Sequence, residues 1–210
     1  MSRCATLLPL SCAALLSLAP ARAAPWTRLG PDGGRVTALA AAPSNRQTLY
    51  AGGAAVFRST DGGLHWSAAA DVFPASGPES PPPRISALAV SPLDPLRVLA
   101  ASTHGLFISG NGGDSWARVP AIAGPVATLA FNGANAVASG PSAVYRSRDG
   151  GGTWQSASAP AMAAICEDPQ KASGFFAALK QPDALGRSLY ASADGLVWSP
   201  LPLTDLAPVA

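Results

Sequence analysis

The sequence predicts an all-β protein assembled from four copies of a four-stranded unit, and three observations predict it. A phrase first written "STDGGLHW" (Ser59–Trp66) returns as "SGNGGDSW" (Ser109–Trp116), "SRDGGGTW" (Ser147–Trp154) and the shorter "SADGLVW" (Ser192–Trp198). Its Trp residues are spaced 50, 38 and 44 apart, the interval of an internal structural repeat. Between the phrases the chain writes brief runs rich in Val, Leu, Phe and Tyr, punctuated by Gly, Pro, Asn and Asp, with no convincing helical period.

The first two units align without a gap. "RVTALAAAPSNRQTLYAGG" (Arg35–Gly53) lies over "RISALAVSPLDPLRVLAAS" (Arg84–Ser102), with Pro43 over Pro92. Each runs into a short strand, "AVFRS" (Ala55–Ser59) or "GLFIS" (Gly105–Ser109), and then into the repeated phrase. The third unit is abbreviated: "VATLAF" (Val126–Phe131), "AVASG" (Ala136–Gly140) and "AVYRS" (Ala143–Ser147). The fourth begins differently, with "MAAICEDP" (Met162–Pro169), then gives "GFFAAL" (Gly174–Leu179) and "SLYAS" (Ser188–Ser192). Each unit thus supplies strands a, b and c, with strand d starting at the Trp. Four-stranded units of this length predict the blades of a β-propeller. "WTRLG" (Trp26–Gly30) reads as a strand d without its own blade, and pairing it with the last blade would close the ring.

Residue chemistry explains the phrase as a hairpin between strands c and d. An Asp side chain accepts hydrogen bonds from backbone N–H groups of a turn. Glycine takes the positive φ that other residues resist, and the Trp covers the turn against the sheet. The pattern Ser-x-Asp-x-Gly-x-x-Trp resembles the Asp-box of the bacterial neuraminidase repeat, found in sialidase-like propellers and in photosystem II assembly factors. Ser59, Asp61, Gly63 and Trp66 match it in full, as do Ser147, Asp149, Gly151 and Trp154. The second copy, Ser109, Asn111, Gly113 and Trp116, carries Asn for Asp; the fourth, Ser192, Asp194 and Trp198, is one residue short. The resemblance implies that these boxes lie away from the ligand face and serve structure. Asn111 fits that role, because an amide oxygen still caps a turn.

The ends and the composition bound the setting. "MSR", the apolar run "CATLLPLSCAALLSLAP" and "ARA" read as a secretory signal peptide over residues 1–23, leaving a repeat domain over 24–210. Pro9 and Pro20 bracket a run too short for a membrane anchor. Pro9 also stands where a lipoprotein signal places Leu, which disfavours lipidation at Cys12. The 14 basic and 12 acidic residues become 12 of each once Arg3 and Arg22 leave, so nothing points to nucleic acid. Cys4 and Cys12 leave too, and Cys166 alone forms no internal disulfide. The mature chain is expected to lie in the periplasm or outside the cell, with no membrane span.

Catalysis finds little support. A sialidase, as the resemblance implies, wants three arginines, a Tyr–Glu pair and an acidic donor. The chain past the leader has two Glu, Glu79 and Glu167, and its Tyr50, Tyr145 and Tyr190 sit within repeat strands. "PPRIS" (Pro82–Ser86) faintly echoes an Arg-Ile-Pro motif, but Arg84 aligns with Arg35 of the first repeat. No metal-ligand spacing, nucleophile elbow or cofactor motif is present. The face made by b–c and d–a loops is the expected contact surface. Its candidate rim residues are Asp71, Glu79, Arg84, His104 and Asp183, drawn chiefly from "DVFPASGPESPPP" (Asp71–Pro83) and "KQPDALGR" (Lys180–Arg187). The expected role is a non-catalytic binding or assembly scaffold for a protein or glycan; the alternative is a sialidase-like glycoside hydrolase. Four repeats are few for a ring, which leaves three outcomes open: a small four-bladed ring, an incomplete ring that assembles with another copy, or a shortened gene product.

Overall fold

The structure is a computed structural model that describes residues 30, 34–70, 72 and 84–201. Among the described residues sixteen strands form four antiparallel four-stranded sheets, each in simple chain order, and no helix occurs. Blade 1 holds β1 (Ala38–Ala42), β2 (Asn45–Gly52), β3 (Val56–Ser59) and β4 (Ser67–Ala68). Blade 2 holds β5 (Ile85–Val90), β6 (Val98–Ser102), β7 (Gly105–Ser109) and β8 (Ala117–Arg118). Blade 3 holds β9 (Thr128–Asn132), β10 (Asn135–Ser139), β11 (Ala143–Ser147) and β12 (Gln155–Ser158). Blade 4 holds β13 (Met162–Glu167), β14 (Phe175–Leu179), β15 (Leu189–Ser192) and β16 (Ser199–Pro200).

The expected blades are therefore present, with one local difference. Strand d begins after each Trp rather than at it, because the Trp still belongs to the turn. The strand "WTRLG" lies almost wholly outside the described residues.

The a strands face their counterparts across blades: β1 packs on β5, β5 on β9 and β9 on β13. Hydroxyls tie them at the loop end, Thr37 Oγ1 donating to the Ile85 carbonyl and Ser86 Oγ to that of Val126. Because strands alternate direction, b–c and d–a loops share one edge of every blade, and a–b and c–d turns share the opposite edge.

Three cores fill the spaces between successive blades. Tyr50 and Val56 meet Leu88 and Phe107 between blades 1 and 2. Leu99 and Leu106 meet Leu129 and Phe131 between blades 2 and 3. Val137 and Val144 meet Ile165 and Phe175 between blades 3 and 4. Among the described residues no packing of comparable extent joins β13 back to β1.

Candidate functional site

The four repeated turns are built alike. Ser Oγ accepts from the backbone N–H of Gly63, Gly113, Gly151 and Gly195 at 2.9, 2.8, 2.7 and 2.8 Å. In the first three, the same hydroxyl donates to the acid or amide oxygen two residues on, at 2.8, 2.9 and 2.7 Å. That oxygen also accepts from the N–H of His65, Ser115 and Thr153, each at 2.9 Å. Gly62 and Gly63 have φ of 74° and 94°, a backbone only glycine adopts without strain, and the pairs in the second and third turns repeat it. In the shorter fourth turn Asp194 Oδ1 takes the N–H groups of both Leu196 and Val197.

The turns differ at the Trp. The indole N–H of Trp66 and of Trp154 donates to the Gly63 and Gly151 carbonyls, each at 2.9 Å. Those of Trp116 and Trp198 are buried without a partner. The carboxyls titrate accordingly. Backbone and side-chain hydrogen bonds from His65 and Ser59 lower Asp61 to about 2. Burial pushes Asp149 up, but bonds from Thr153 and Ser147 outweigh it and bring it to about 2.

These turns also receive arginines that the sequence reading did not single out. Arg58 donates to the Gly112 carbonyl of the next blade at 2.8 Å and pairs with Asp114 at 3.0 Å. Arg97 reaches the Asp149 and Gly150 carbonyls, each at 3.3 Å. Arg146, itself buried, reaches the Asp194 carbonyl and carboxylate at 3.2 Å and also contacts Gln155. Each internal blade junction thus carries one arginine clasp. A signal existed: Arg58 and Arg146 hold the same place in "VFRS" and "VYRS".

The opposite edge carries the expected rim. Arg84 and His104 come together on blade 2, where the Arg84 N–H bonds Thr103 Oγ1 at 3.3 Å and Thr103 Oγ1 meets His104 Nδ1 at 2.9 Å. Arg118 braces this corner through the carbonyls of His104 and Ala123, both at 2.9 Å. Asp183 lies on blade 4, in the β14–β15 loop. Asp71 and Glu79 lie outside the described residues, as does most of the proline-rich stretch.

Asp183 organises its loop completely. One oxygen accepts from the N–H groups of Leu185 and Arg187 at 2.9 Å, and the other from Arg187 Nε at 2.7 Å and from the Tyr190 hydroxyl. The Tyr190 bond, with the Arg187 bonds, holds the carboxyl far below the ordinary carboxylate range. In return the bond to Asp183 raises the Tyr190 phenol. A carboxylate with both oxygens so engaged stays ionised and keeps no proton to donate. It lines a cleft of about 430 Å³ with Pro160, Ala161, Leu179, Lys180, Gln181 and Pro182. A smaller apolar recess of about 180 Å³ adjoins it across Pro160 and Leu179 and reaches Tyr190 and Trp198. Among the described residues no group of three or more His, Cys, Asp or Glu is placed to hold a metal ion.

This architecture is shared with solved structures. An ancestral GH74 enzyme superposes with a TM-score of 0.67 and 24 % identity over 87 % of the chain, which spans 26 % of that protein. YCF48 from Cyanidioschyzon merolae superposes with a TM-score of 0.63 and 16 % identity over 84 % of the chain, which spans 59 % of it. The chain has β-propeller architecture. YCF48 bound to a D1 peptide is also similar, with a TM-score of 0.56 and 17 % identity over 79 % of the chain and 54 % of YCF48. The chain therefore spans about a quarter of the GH74 enzyme and somewhat over half of YCF48. The sequence matches no protein-family model and no curated protein.

Proposed function

We propose that the chain is a non-catalytic scaffold that acts outside the cytoplasm, after loss of residues 1–23, and holds a protein partner on its loop edge. The observation that carries this reading is the Asp183 loop. Its carboxylate is spent on four donors, so the loop is a preformed wall beside an open cleft rather than a source of acid or base. Preorganised walls bind with little ordering cost. Lys180 and Gln181, both exposed, join Asp183 as polar handles on a lining otherwise made of Pro160, Ala161, Leu179 and Pro182, the mixture that positions a peptide. YCF48, a similar fold, is itself seen with a peptide bound. The repeated turns, on the far edge, serve structure: their Ser, Asp and Asn oxygens are occupied by turn donors.

A glycoside hydrolase is the second reading, because a GH74 enzyme shares the architecture. Such chemistry uses two carboxyl groups facing one cleft, one of them able to give a proton. The test combines both. The tagged protein is used to recover partners from envelope extract of its own cell and is assayed on a panel of fluorogenic glycosides. The scaffold reading expects one protein in near-equal amount, lost with Asp183→Ala and kept with Asp149→Asn, and no hydrolysis. Hydrolysis that saturates with substrate, with no protein recovered, would overturn it.

A further inference from the structure

Strand d of one blade and the linker to the next blade close each internal junction toward the loop edge. Ala69, Val119 and Ala157 hold the same place in that stretch, set by their common pairing opposite Val56, Leu106 and Val144. Three residues further on come Val72, Ile122 and Pro160. Val72 and Ile122 are 4 % and 0 % exposed, and they plug the first and second cores. Val119 adds to the second plug.

The third junction lacks this filling. Pro160 is exposed, Ala157 and Ala159 are small and half-buried, and β13 begins at Met162. The recess of about 180 Å³ opens here, between Ala159 and the side chains of Tyr190, Leu196 and Trp198, with Met162 and Leu179 also lining it. Tyr190 and Trp198 hold the places that Tyr145 and Trp154 hold against the core containing Ile122. The linker that plugs the other two junctions is described here from end to end, and it offers nothing larger than alanine and proline.

We infer that the recess is a seat for one apolar side chain of the partner, of leucine to phenylalanine size, carried on a segment with an acidic residue beside it. This rests on the loop-edge scaffold reading and names the chemistry of what that edge holds. Size follows from volume, since an apolar cavity of about 150 Å³ takes a benzene ring. Charge follows from the adjoining cleft, which the recess meets across Pro160 and Leu179. There Arg187 already answers Asp183, while Lys180 takes part in no ion pair among the described residues. The cleft therefore carries a positive charge one residue beyond Leu179, and an acid next to the anchor complements it.

The chain has two methionines, Met1 and Met162, so methyl-labelled methionine gives the recess its own NMR signal. The probe is the blocked peptide Ser-Leu-Asp-Ser, titrated into the full chain. It should move the Met162 signal to saturation. Ser-Ser-Asp-Ser should bind about tenfold more weakly or worse, and Ser-Leu-Lys-Ser about three- to fivefold more weakly. Ala159→Leu supplies the plug that Ile122 supplies one junction earlier. It should melt no lower than the wild type and bind the first peptide about tenfold more weakly or worse. Lys180→Glu, at an exposed site, should reverse the order of the Asp and Lys peptides. An unmoved Met162 signal, or peptide binding retained by a folded Ala159→Leu chain, would overturn the seat. A Met162 signal moved by Leu203→Ser with Leu206→Ser, without peptide, would overturn it too, because the chain's own residues 202–210 would then fill the recess. A partner recovered equally by the wild type and by Ala159→Leu would overturn the seat and leave the scaffold reading standing. Peptide binding in the expected order, with no partner recovered, would uphold the seat although the scaffold reading fails.

Discussion

Replacing Arg146 tests whether the arginine clasps hold successive blades together. Arg146→Ala removes the bonds to the Asp194 carbonyl and carboxylate and to Gln155, and it empties the space its stem fills beside Gly195. Breaking a fully buried pair costs about 3–5 kcal/mol. Asp194 is 39 % exposed on its side chain, so water takes over part of its hydration. Hydrogen bonds to charged groups contribute about 1.5–3 kcal/mol, and the loss should fall near 2–3 kcal/mol. For a chain of this size that is a drop of roughly 4–12 °C in Tm. Hydrogen exchange adds location. Neighbouring blades in a repeat array couple mainly to each other, so β13–β16 should lose protection while β1–β4 keep theirs. Arg148→Ala, at an exposed site in the next turn, is the control and should stay within about 0.5 kcal/mol. An Arg146→Ala melt no lower than that of Arg148→Ala would refute the clasp.

Three further outcomes follow from the turns and the blade junctions. Asp149→Ala should lower Tm by roughly 2–6 °C, since Ser147, the Thr153 N–H and the Thr153 hydroxyl lose their acceptor; Asp149→Asn should be nearly silent, because Asn111 accepts the two equivalent Oδ1 bonds and replaces the third by donating its amide to Ser115 Oγ. Asp61 and Asp149 both titrate near 2 in the folded chain against an ordinary 3.8, so the folded state binds their protons more weakly than the unfolded one. Their contribution is full above about pH 4, falls as pH drops and is gone below about 2; an acid titration of the double Asn variant should show a smaller loss over that window than the wild type. Gly52→Ala puts a methyl 2.5 Å from Ile85 Cγ2 and 3.0 Å from Leu88 Cδ1 across the first blade junction, and overpacking of this kind costs about 1–3 kcal/mol, read by denaturant unfolding.

Much of the fold was legible in the sequence because its signals were local and repeated. The alternation of short apolar runs and turn residues placed the four sheets, and the repeated Gly pairs placed the positive-φ turns. What stayed hidden depends on relations between blades. Arg97 precedes a strand with no sign that it would reach the turn of the next blade. Leu39 and Leu88 hold the same place in two aligned repeats, yet Leu39 is exposed and Leu88, packed against blade 1, is buried. The rim was half legible. Arg84 and His104 do meet on blade 2, and Asp183 does line a cleft, but nothing in "KQPDALGR" announced that Tyr190 and Arg187 would consume its carboxylate. Tyr190 sits within a repeat strand, and its hydroxyl serves the loop as well.

The scaffold reading is tested most directly by site-specific photo-crosslinking in the native cell. A photoreactive residue is placed at Gln181, in the cleft on the loop edge, and in a parallel chain at His65, an exposed residue of a turn on the far edge. One discrete protein adduct at Gln181, absent at His65, is the expected result. Adducts at His65 alone, or none at Gln181 from a folded chain, would contradict a partner held on the loop edge.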